Sequence, residues 1–181
     1  MKIVFRNIIF LTLFFIIYND GFGQEDWINF KAPNGFLFSV DVPGEMEESS
    51  QTIKTAVGDL KAVTYAYQGN TEDPNYLYLI NLVQYPEGTF PVDSIDLIDE
   101  YLENAILSSI EKVNGELSYS SNLERNNGKL FRVKYNNGQA VLKAKSFITK
   151  DVFISLQVFT VQSKSLNDEM DYFLDSFRIN P

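Results

Sequence analysis

The chain contains no histidine and no cysteine among its 181 residues. Without these side chains a Ser-His-Asp triad, a cysteine nucleophile, an imidazole general base and a His or Cys metal site cannot be built. Disulfides and a lipid-carrying N-terminal cysteine are excluded as well, so the fold depends on its apolar core. Together these absences remove most designs of hydrolase active sites.

The sequence also lacks a phosphate-binding loop and an excess of positive charge. Neither the Gly-x-Gly-x-x-Gly pattern nor the P-loop spacing occurs. Lys and Arg number 15 against 24 Asp and Glu, which gives a formal net charge of −9. Nucleic acid and anionic lipid both require a basic surface, so we predict neither as a partner. We also predict no cofactor.

Residues 1–23 have the pattern of a signal peptide. Lys2 and Arg6 supply the positive segment, and residues 8–18 form an apolar run. This run is shorter than the ~20 residues that a membrane-spanning helix needs. Small residues then precede a cleavage point, and the mature chain is predicted to begin at Gln24. We expect export to the periplasm or the medium, with an uncleaved N-terminal anchor as the alternative.

The remaining residues 24–181 are predicted to form a single domain without a transmembrane span. Its centre is an antiparallel meander at residues 129–161. Asn137-Gly138 stands between two alternating runs there, which is the strongest short-range hairpin signal because a type I′ turn needs φ > 0 at both central positions. A two-residue loop sets the register of the hairpin. It pairs Tyr135 with Ala140, Val133 with Leu142, Phe131 with Ala144, and Arg132 with Lys143.

Further strands and two helices are predicted around this meander. Alternation predicts strands at residues 27–30, 36–42, 52–57, 60–67, 76–85 and 116–123, with a polar connector at 45–50 and a turn at Gly58-Asp59. In the last of these strands Leu117, Tyr119, Ser121 and Leu123 are expected on one face. The run at 76–85 is apolar on both faces, as a strand covered on two sides requires.

Helical spacing predicts one long helix from an Asp93 N-cap to about Val113, and a C-terminal helix after a Ser165-x-x-Asp168 cap. The predicted fold class is therefore α+β. We expect an antiparallel sheet of about 6–8 strands with the long central helix and the C-terminal helix packed on it, an α/β/α sandwich.

Three kinds of catalytic site remain chemically open: a carboxylate pair, a Ser-Lys dyad and an oxygen-ligand cation site. The acidic residues of the long helix, Asp96, Asp99, Glu100 and Glu103, lie where a solvated helix face explains them. Adjacent side chains in Ser163-Lys164-Ser165 point apart, and residues 45–50 lack the spacing of a calcium loop. We therefore predict no catalytic and no metal-binding residue.

The candidate binding residues are a basic set on the hairpin and two aromatic residues. The hairpin places Arg132, Lys134, Lys143 and Lys145 on one face. Like charges directly opposite destabilise a strand pair by up to ~1 kcal/mol, so an acidic group is expected over them, either an internal carboxylate or an anionic ligand or partner. Tyr85 and Phe90 flank a turn, where aromatic residues mark a binding surface or join the core.

The order of these pieces resembles the PsbP-like family. The residues that carry the resemblance are Trp27, Phe30, Phe36, Phe38, Val40, Pro43, Gly58, Tyr85, Pro86, Phe173, Ser176, Phe177 and Arg178. The resemblance implies an antiparallel sheet between helical layers, and relatives that act by binding other proteins rather than by catalysis. It carries over no functional residue and no photosynthetic role.

We accordingly expect an exported, non-enzymatic binding or assembly module of the bacterial cell envelope, with an envelope protein or an anionic ligand as its partner. Two alternatives stay open. One is a hydrolase that uses carboxylates or a cation, and the other is a small-ligand binder with its site between sheet and helix.

Overall fold

A computed structural model describes residues 27–32, 38–55, 58–91, 93–123 and 128–179. Within these ranges the chain forms ten strands and two α-helices. In chain order they are β1 (Ile28–Lys31), β2 (Phe38–Val42), β3 (Glu47–Thr55), β4 (Gly58–Gln68), β5 (Leu77–Gln84), α1 (Ile95–Val113), β6 (Glu116–Leu123), β7 (Gly128–Tyr135), β8 (Ala140–Thr149), β9 (Val152–Val161), α2 (Asp168–Asp175) and β10 (Arg178–Ile179). The predicted signal peptide and its cleavage point lie outside the described residues.

The described strands form two antiparallel sheets. The main sheet has seven strands in the order β3-β4-β5-β9-β8-β7-β6, and the small sheet has the order β1-β2-β10. The predicted α+β class is confirmed, and the small sheet is an addition to it. Neither helix in the described part of the chain combines the length and the apolarity needed to cross a membrane.

The predicted register of the central hairpin is confirmed, whereas its turn is longer than predicted. Tyr135 lies opposite Ala140, and the pairing continues in this register to the far end of β7. The connection comprises residues 136–139, with positive φ at Asn136 (52°), Asn137 (54°) and Gly138 (78°). Asparagine tolerates the left-handed region, so the first asparagine joins the turn instead of the ladder. The register is unchanged because burial of one face fixes it.

One face of the main sheet is covered by α2 together with the small sheet. Phe38 and Val40 of β2 and Phe173 of α2 are buried there against Ile80 and Leu156 of the main sheet. Each such side chain contributes about 1.5–3 kcal/mol of transfer free energy when it is removed from water. This layer fixes α2 on the sheet and forms the larger part of the core.

The opposite face is covered by α1 along β7 and β8. Ile98, Leu102 and Ile106 are the buried residues of α1, and Ile106 packs against Phe131 and Val133. A helix is about 10–12 Å wide and strands are about 4.8 Å apart, so a single helix covers two or three strands. Seven described strands therefore leave part of this face open.

Strand β5 lies partly in the area that α1 leaves uncovered. Its Tyr78, Ile80 and Leu82 are buried under the small sheet and α2, whereas Leu79 and Val83 on the α1 face are only half-buried. The prediction that residues 76–85 are covered on both faces is thus right for one face and wrong for part of the other.

Both predicted helix caps are wrong. Helix α1 begins after Ser94, which makes no side-chain cap, instead of after Asp93. Helix α2 is capped by Asn167, whose side-chain oxygen accepts a hydrogen bond from Met170 N at 2.8 Å. Ser165 is buried, and its hydroxyl accepts a hydrogen bond from a side chain of the main sheet instead.

Two edge strands also differ from the predictions. Strand β3 begins at Glu47, inside the predicted connector, because an exposed edge strand needs no apolar residues. Thr55 pairs with Gly58, so Gly58 and Asp59 belong to strand β4 and do not form the predicted turn. In β6 the register shifts between Leu117 and Tyr119, and this irregularity moves Leu117 to the face opposite Tyr119, Ser121 and Leu123.

Candidate functional site: a cleft between α1 and β5

The uncovered part of the α1 face forms a cleft of about 430 Å³. Strands β4, β5 and β9 supply its floor, α1 supplies one wall, and β3 contributes Gln51 and Ile53 at the outer edge. The floor is mainly apolar, with Leu60, Ala62, Leu79, Val83, Phe153 and Phe159. The cleft exists because the β4-β5 side of the sheet keeps apolar residues on a face that α1 does not reach.

The wall of the cleft is one stripe of α1. Tyr101, Ala105, Ser108, Ser109 and Lys112 follow each other at helical spacing and all line the cleft. The three central residues are small, and Ser109 Oγ donates its hydrogen bond back to Ala105 O at 2.8 Å. With a rise of 1.5 Å per residue, the stripe from Tyr101 to Lys112 is about 16 Å long.

One end of the cleft is aromatic. Tyr85 and Tyr101 line it with ring centroids 5.6 Å apart, and their hydroxyl groups are hydrogen-bonded. Phe153 packs on Tyr101 from the floor at 5.4 Å. Burial, together with the hydrogen bond to Tyr85, raises the pKa of Tyr101 well above its ordinary value of 10.0. This end is therefore neutral, with its hydroxyl groups already paired.

The structure brings the two predicted aromatic residues together here. Tyr85 lines the cleft, whereas Phe90 packs behind it with its centroid 5.2 Å from Tyr85 and 5.1 Å from Tyr101. Phe90 N also donates a hydrogen bond to Asp151 Oδ1 at 2.7 Å, which holds the loop against the β8-β9 turn. Phe90 thus supports the aromatic end without lining it.

A row of polar side chains crosses the α1 face of the main sheet. Residues directly opposite on paired strands point to the same face. The row takes one residue from each described strand of the sheet: Ser49, Thr64, Asn81, Ser155, Ser146, Lys129 and Asn122. It is hydrogen-bonded within itself, with Thr64 Oγ1 donating to Asn81 Oδ1 at 2.8 Å and Ser146 Oγ donating to Ser155 Oγ at 3.0 Å. We call these seven residues the polar row.

Under α1 the polar row ends in an ion cluster. Lys129 Nζ lies 2.7 Å from Asp99 Oδ1 and 2.6 Å from Glu103 Oε1 of α1, and it donates a hydrogen bond to Asn122 Oδ1 at 2.9 Å. Burial acts to lower the pKa of Lys129, but the hydrogen bonds and the attraction of the two carboxylates outweigh burial and raise that pKa. Two residues of the acidic cluster predicted to be solvated therefore fasten α1 to the sheet.

In the open half of the sheet the same row forms part of the cleft floor. Thr64, Asn81 and Ser155 line the cleft, and Gln157 beside them donates a hydrogen bond from Nε2 to Ser155 Oγ at 3.2 Å. Asn81 Oδ1 is used by Thr64. No acceptor among the described residues pairs with Asn81 Nδ2, so this amide presents donors to the cleft.

The charge of the cleft differs in sign from that of the chain. Lys112 is the one charged residue among the described residues that line the cleft, and no carboxylate lines it. Lys112 is exposed and forms no ion pair with any described residue. A site of this kind suits binding of an apolar molecule with a few polar contacts.

The predicted basic residues lie elsewhere, mainly under α2. Lys143 and Lys145 form ion pairs with Asp171 and Asp175 of α2. The predicted acidic cover is thus internal. Whether these residues also bind a partner stays a prediction, and such a partner would have to displace the carboxylates of α2.

Arg132 and Lys134 complete this set. Arg132 does lie opposite Lys143, as predicted, and its Nη2 donates a hydrogen bond to Ser165 Oγ at 2.7 Å. Lys134 is exposed on the same strand. The cleft and the basic set are therefore on opposite faces of the main sheet.

Sequence reasoning missed Lys112, Tyr101 and Asn81 as site residues. A signal existed for each of them, since Asn81 interrupts an apolar strand and Tyr101 and Lys112 belong to a stripe without acidic residues between the apolar and acidic sides of α1. Nothing in the sequence shows which strands a helix leaves uncovered, so these signals could not be combined.

Comparison with solved structures places the fold in a known group. The solution structure of cyanobacterial PsbP (CyanoP) from Synechocystis sp. PCC 6803 superimposes with a TM-score of 0.52 at 12% sequence identity, covering 88% of this chain and 95% of that chain. At this identity the likeness establishes the PsbP-like fold alone. No protein-family model matches the chain, and no curated protein matches it in sequence.

Proposed function

Starting from the PsbP-like fold and its open cleft, we propose that the protein is an exported, non-enzymatic binding module of the bacterial cell envelope that holds a small ligand between α1 and β5. The observation that carries the proposal is the cleft of about 430 Å³ with its mainly apolar floor. Ligand pockets have volumes of about 300–1,000 Å³ and combine apolar walls with a few polar groups. The cleft has both features.

The unused apolar surface supports a binding role. Leu79 and Val83 occupy positions of β5 that a second helix would cover in a fully closed sandwich. Removing apolar surface from water stabilises a complex by about 25 cal/mol per Å² before the costs of association. A ligand in the cleft would complete the second covering of β5 that its sequence predicts.

The chemistry of the lining supports a non-enzymatic role. The chain has no histidine or cysteine, and the described lining contains no carboxylate. Asp99 and Glu103, the carboxylates on the neighbouring face of α1, are engaged by Lys129. A hydrolase of the carboxylate type needs two carboxyl groups beside the substrate, and no described residue that lines the cleft supplies one. The signal-peptide pattern of residues 1–23 supports the proposed location.

Binding of the neutral dye Nile red to the purified protein tests the proposal. We expect saturable binding with a blue-shifted emission, because the dye enters an apolar site. Ala105→Trp fills the middle of the cleft and should weaken binding at least tenfold. Leu107→Trp is the matched control, since Leu107 is 55% exposed on another side of α1.

Circular dichroism and urea unfolding check that each variant folds, and Ala105→Phe replaces Ala105→Trp if the larger residue disrupts α1. Equal dye binding by both tryptophan variants, or no binding by the wild-type protein, would refute the cleft as the site. Turnover of an ester or glycoside that depends on one acidic side chain would favour the hydrolase instead.

A further inference from the structure

We infer that the ligand of the cleft is an apolar molecule with a single anionic head, of the chemical class of a medium-chain carboxylate, and that Lys112 and Asn81 hold the head. This inference rests on the proposed function and adds to it the class and the orientation of the ligand. Three features of the cleft carry it: its charge, its polarity along the long axis, and the free donors on its floor.

The charge of the lining favours an anion. The chain carries 24 acidic against 15 basic residues, yet the described lining combines one lysine with no carboxylate. Charges elsewhere on the surface are screened beyond about 10 Å at 0.1 M salt. An anion inside the cleft therefore experiences Lys112 more strongly than the net charge of the chain.

The two ends of the cleft differ in polarity. From the polar row at Asn81 toward Tyr85 the lining is apolar and aromatic, with Ala62, Val83 and Phe153. Tyr85 follows Asn81 by four residue steps of extended chain, a length of about 13 Å. This half accommodates an extended hydrocarbon chain and offers it no unpaired hydroxyl at the end, because Tyr85 and Tyr101 bond to each other.

The other half keeps an apolar floor at Leu79 and Phe159 and adds hydrogen-bond donors to it. Side chains of a helix point back toward its N-terminus, so the ammonium group of Lys112 is directed over the turn that contains Ser108 and Ser109. Asn81 Nδ2 faces the cleft from the floor without an acceptor among the described residues. A carboxylate placed between Lys112 and Asn81 accepts from both, whereas an uncharged hydrocarbon leaves both without a partner.

Lys112 also has an ordinary explanation, since a lysine in the last turn of a helix balances the negative end of the helix dipole. That role affects the stability of α1 and does not depend on the charge of a ligand. The experiment must therefore compare ligands that share one hydrocarbon chain and differ in whether the head group is charged.

Isothermal titration with decanoate and with 1-decanol makes this comparison. We expect Lys112→Met to weaken the binding of decanoate about three- to fivefold, the upper part of the range for an exposed ion pair, and to leave the binding of decanol unchanged. Lys112→Arg should retain decanoate binding. Lys54→Met is the matched control, because Lys54 is an exposed lysine that follows Ile53 on the opposite face of β3.

Asn81→Asp provides a second and stronger test. The change keeps the shape of the side chain and places a carboxylate beside the proposed head, so we expect decanoate binding to fall about tenfold while decanol binding persists. Thr64 remains able to donate its hydrogen bond to the new carboxylate. A folded Asn81→Asp variant that binds decanoate as the wild type does would contradict the inference.

The outcomes separate the two proposals. If decanol binds but decanoate does not, or if Lys112→Met leaves the ratio of the two affinities unchanged, the inferred ligand class is wrong and the binding function stands. If neither probe nor Nile red binds, the proposed function fails with it.

Discussion

Lys129 shows how one polar residue fixes the position of α1. Its side chain is 5% exposed, whereas those of its partners Asp99 and Glu103 are 51% and 48% exposed. Removing both carboxylates would leave the buried ammonium group with Asn122 as its one partner among the described residues. Such an uncompensated charge destabilises the folded state even at the edge of an interface.

We predict that Asp99→Asn combined with Glu103→Gln lowers the free energy of unfolding by about 2 kcal/mol, below the ~3–5 kcal/mol of fully buried pairs because these carboxylates are half exposed. Urea unfolding measures this loss. The control combines Glu100→Gln with Glu111→Gln, which removes two exposed charges from the same helix. Equal losses in the two double variants would show that Lys129 does not hold α1.

The raised pKa of Tyr101 predicts that the stability of the fold depends on pH in the alkaline range. Burial and the hydrogen bond with Tyr85 raise the pKa of Tyr101 above 10.0, so the folded state retains this proton to higher pH than the unfolded state. The resulting stabilisation is complete below pH 10 and is lost as the pH rises above it. We expect the urea midpoint to fall less steeply above pH 10 in Tyr101→Phe than in the wild type.

The exposed Tyr119→Phe serves as the control for this measurement and should follow the wild-type profile. Parallel profiles for the wild type and Tyr101→Phe would mean that the Tyr85-Tyr101 pair does not form. The pKa of Tyr135 is also raised, by burial and by its hydrogen bond to Tyr76. Because Tyr135 is present in both proteins, the difference between their profiles reports on Tyr101.

At the scale of residues, one aromatic residue of the cleft is predictable from the sequence. Tyr85 is a candidate because it flanks a turn, and it lines the cleft. Lys112 and Asn81 were not identified, because they become neighbours only through the placement of α1 over the sheet. That placement depends on long-range packing, which alternation does not encode.

Among the elements, the turn between β7 and β8 depends on residues that tolerate positive φ. Asn137 has φ 54° in the four-residue connection. A β-branched residue is strained in the left-handed region by about 1–2 kcal/mol, so Asn137→Val should lower the free energy of unfolding by that amount. Gln139→Val in the same turn, where φ is not positive, should change it by less than ~0.5 kcal/mol.

Urea unfolding at constant m-value measures both variants. An Asn137→Val variant as stable as Gln139→Val would show that the turn adopts another conformation. The turn also shows the limit of the sequence, since the hairpin register was predictable from burial, whereas the participation of Asn136 in the turn was not.

Helix α2 is held on the basic strands partly by charge. A double-mutant cycle of Lys145→Gln and Asp175→Asn should give a favourable coupling of about 0.5 kcal/mol, the size expected for a pair exposed on one side. The corresponding cycle of Lys134 with Asp175 should give none, because Lys134 is exposed and forms no ion pair with a residue that the structure describes. Zero coupling between Lys145 and Asp175 would leave the basic face free for an external anion.

The bounds of the elements were predictable where one face is buried. Strands β5, β7, β8 and β9 have that property, and their patterns were identified. Strand β3 lacks it, because an edge strand with exposed side chains carries no apolar alternation and looks like a connector. The caps failed for a related reason, since several Ser, Asp and Asn residues compete near each helix start.

For the whole molecule, the main feature is the mismatch between a wide sheet and a single helix on its α1 face. The small sheet and α2 close the opposite face, whereas α1 covers β7 and β8 and leaves β4 and β5 as the floor of the cleft. The sequence predicted a sandwich because β5 is apolar on both faces. It could not show that one covering layer is narrower than the sheet.

We propose that the protein works by holding a small molecule in this cleft. Amide chemical-shift changes during titration of the purified protein with Nile red, 1-decanol and decanoate in turn are the decisive measurement. We expect at least one probe to give saturable changes concentrated at Leu79, Asn81, Val83 and Lys112, with none at Lys134 on the opposite face. An absence of saturable changes with all three probes, or changes concentrated around Lys134 and the α2 layer, would contradict the proposal.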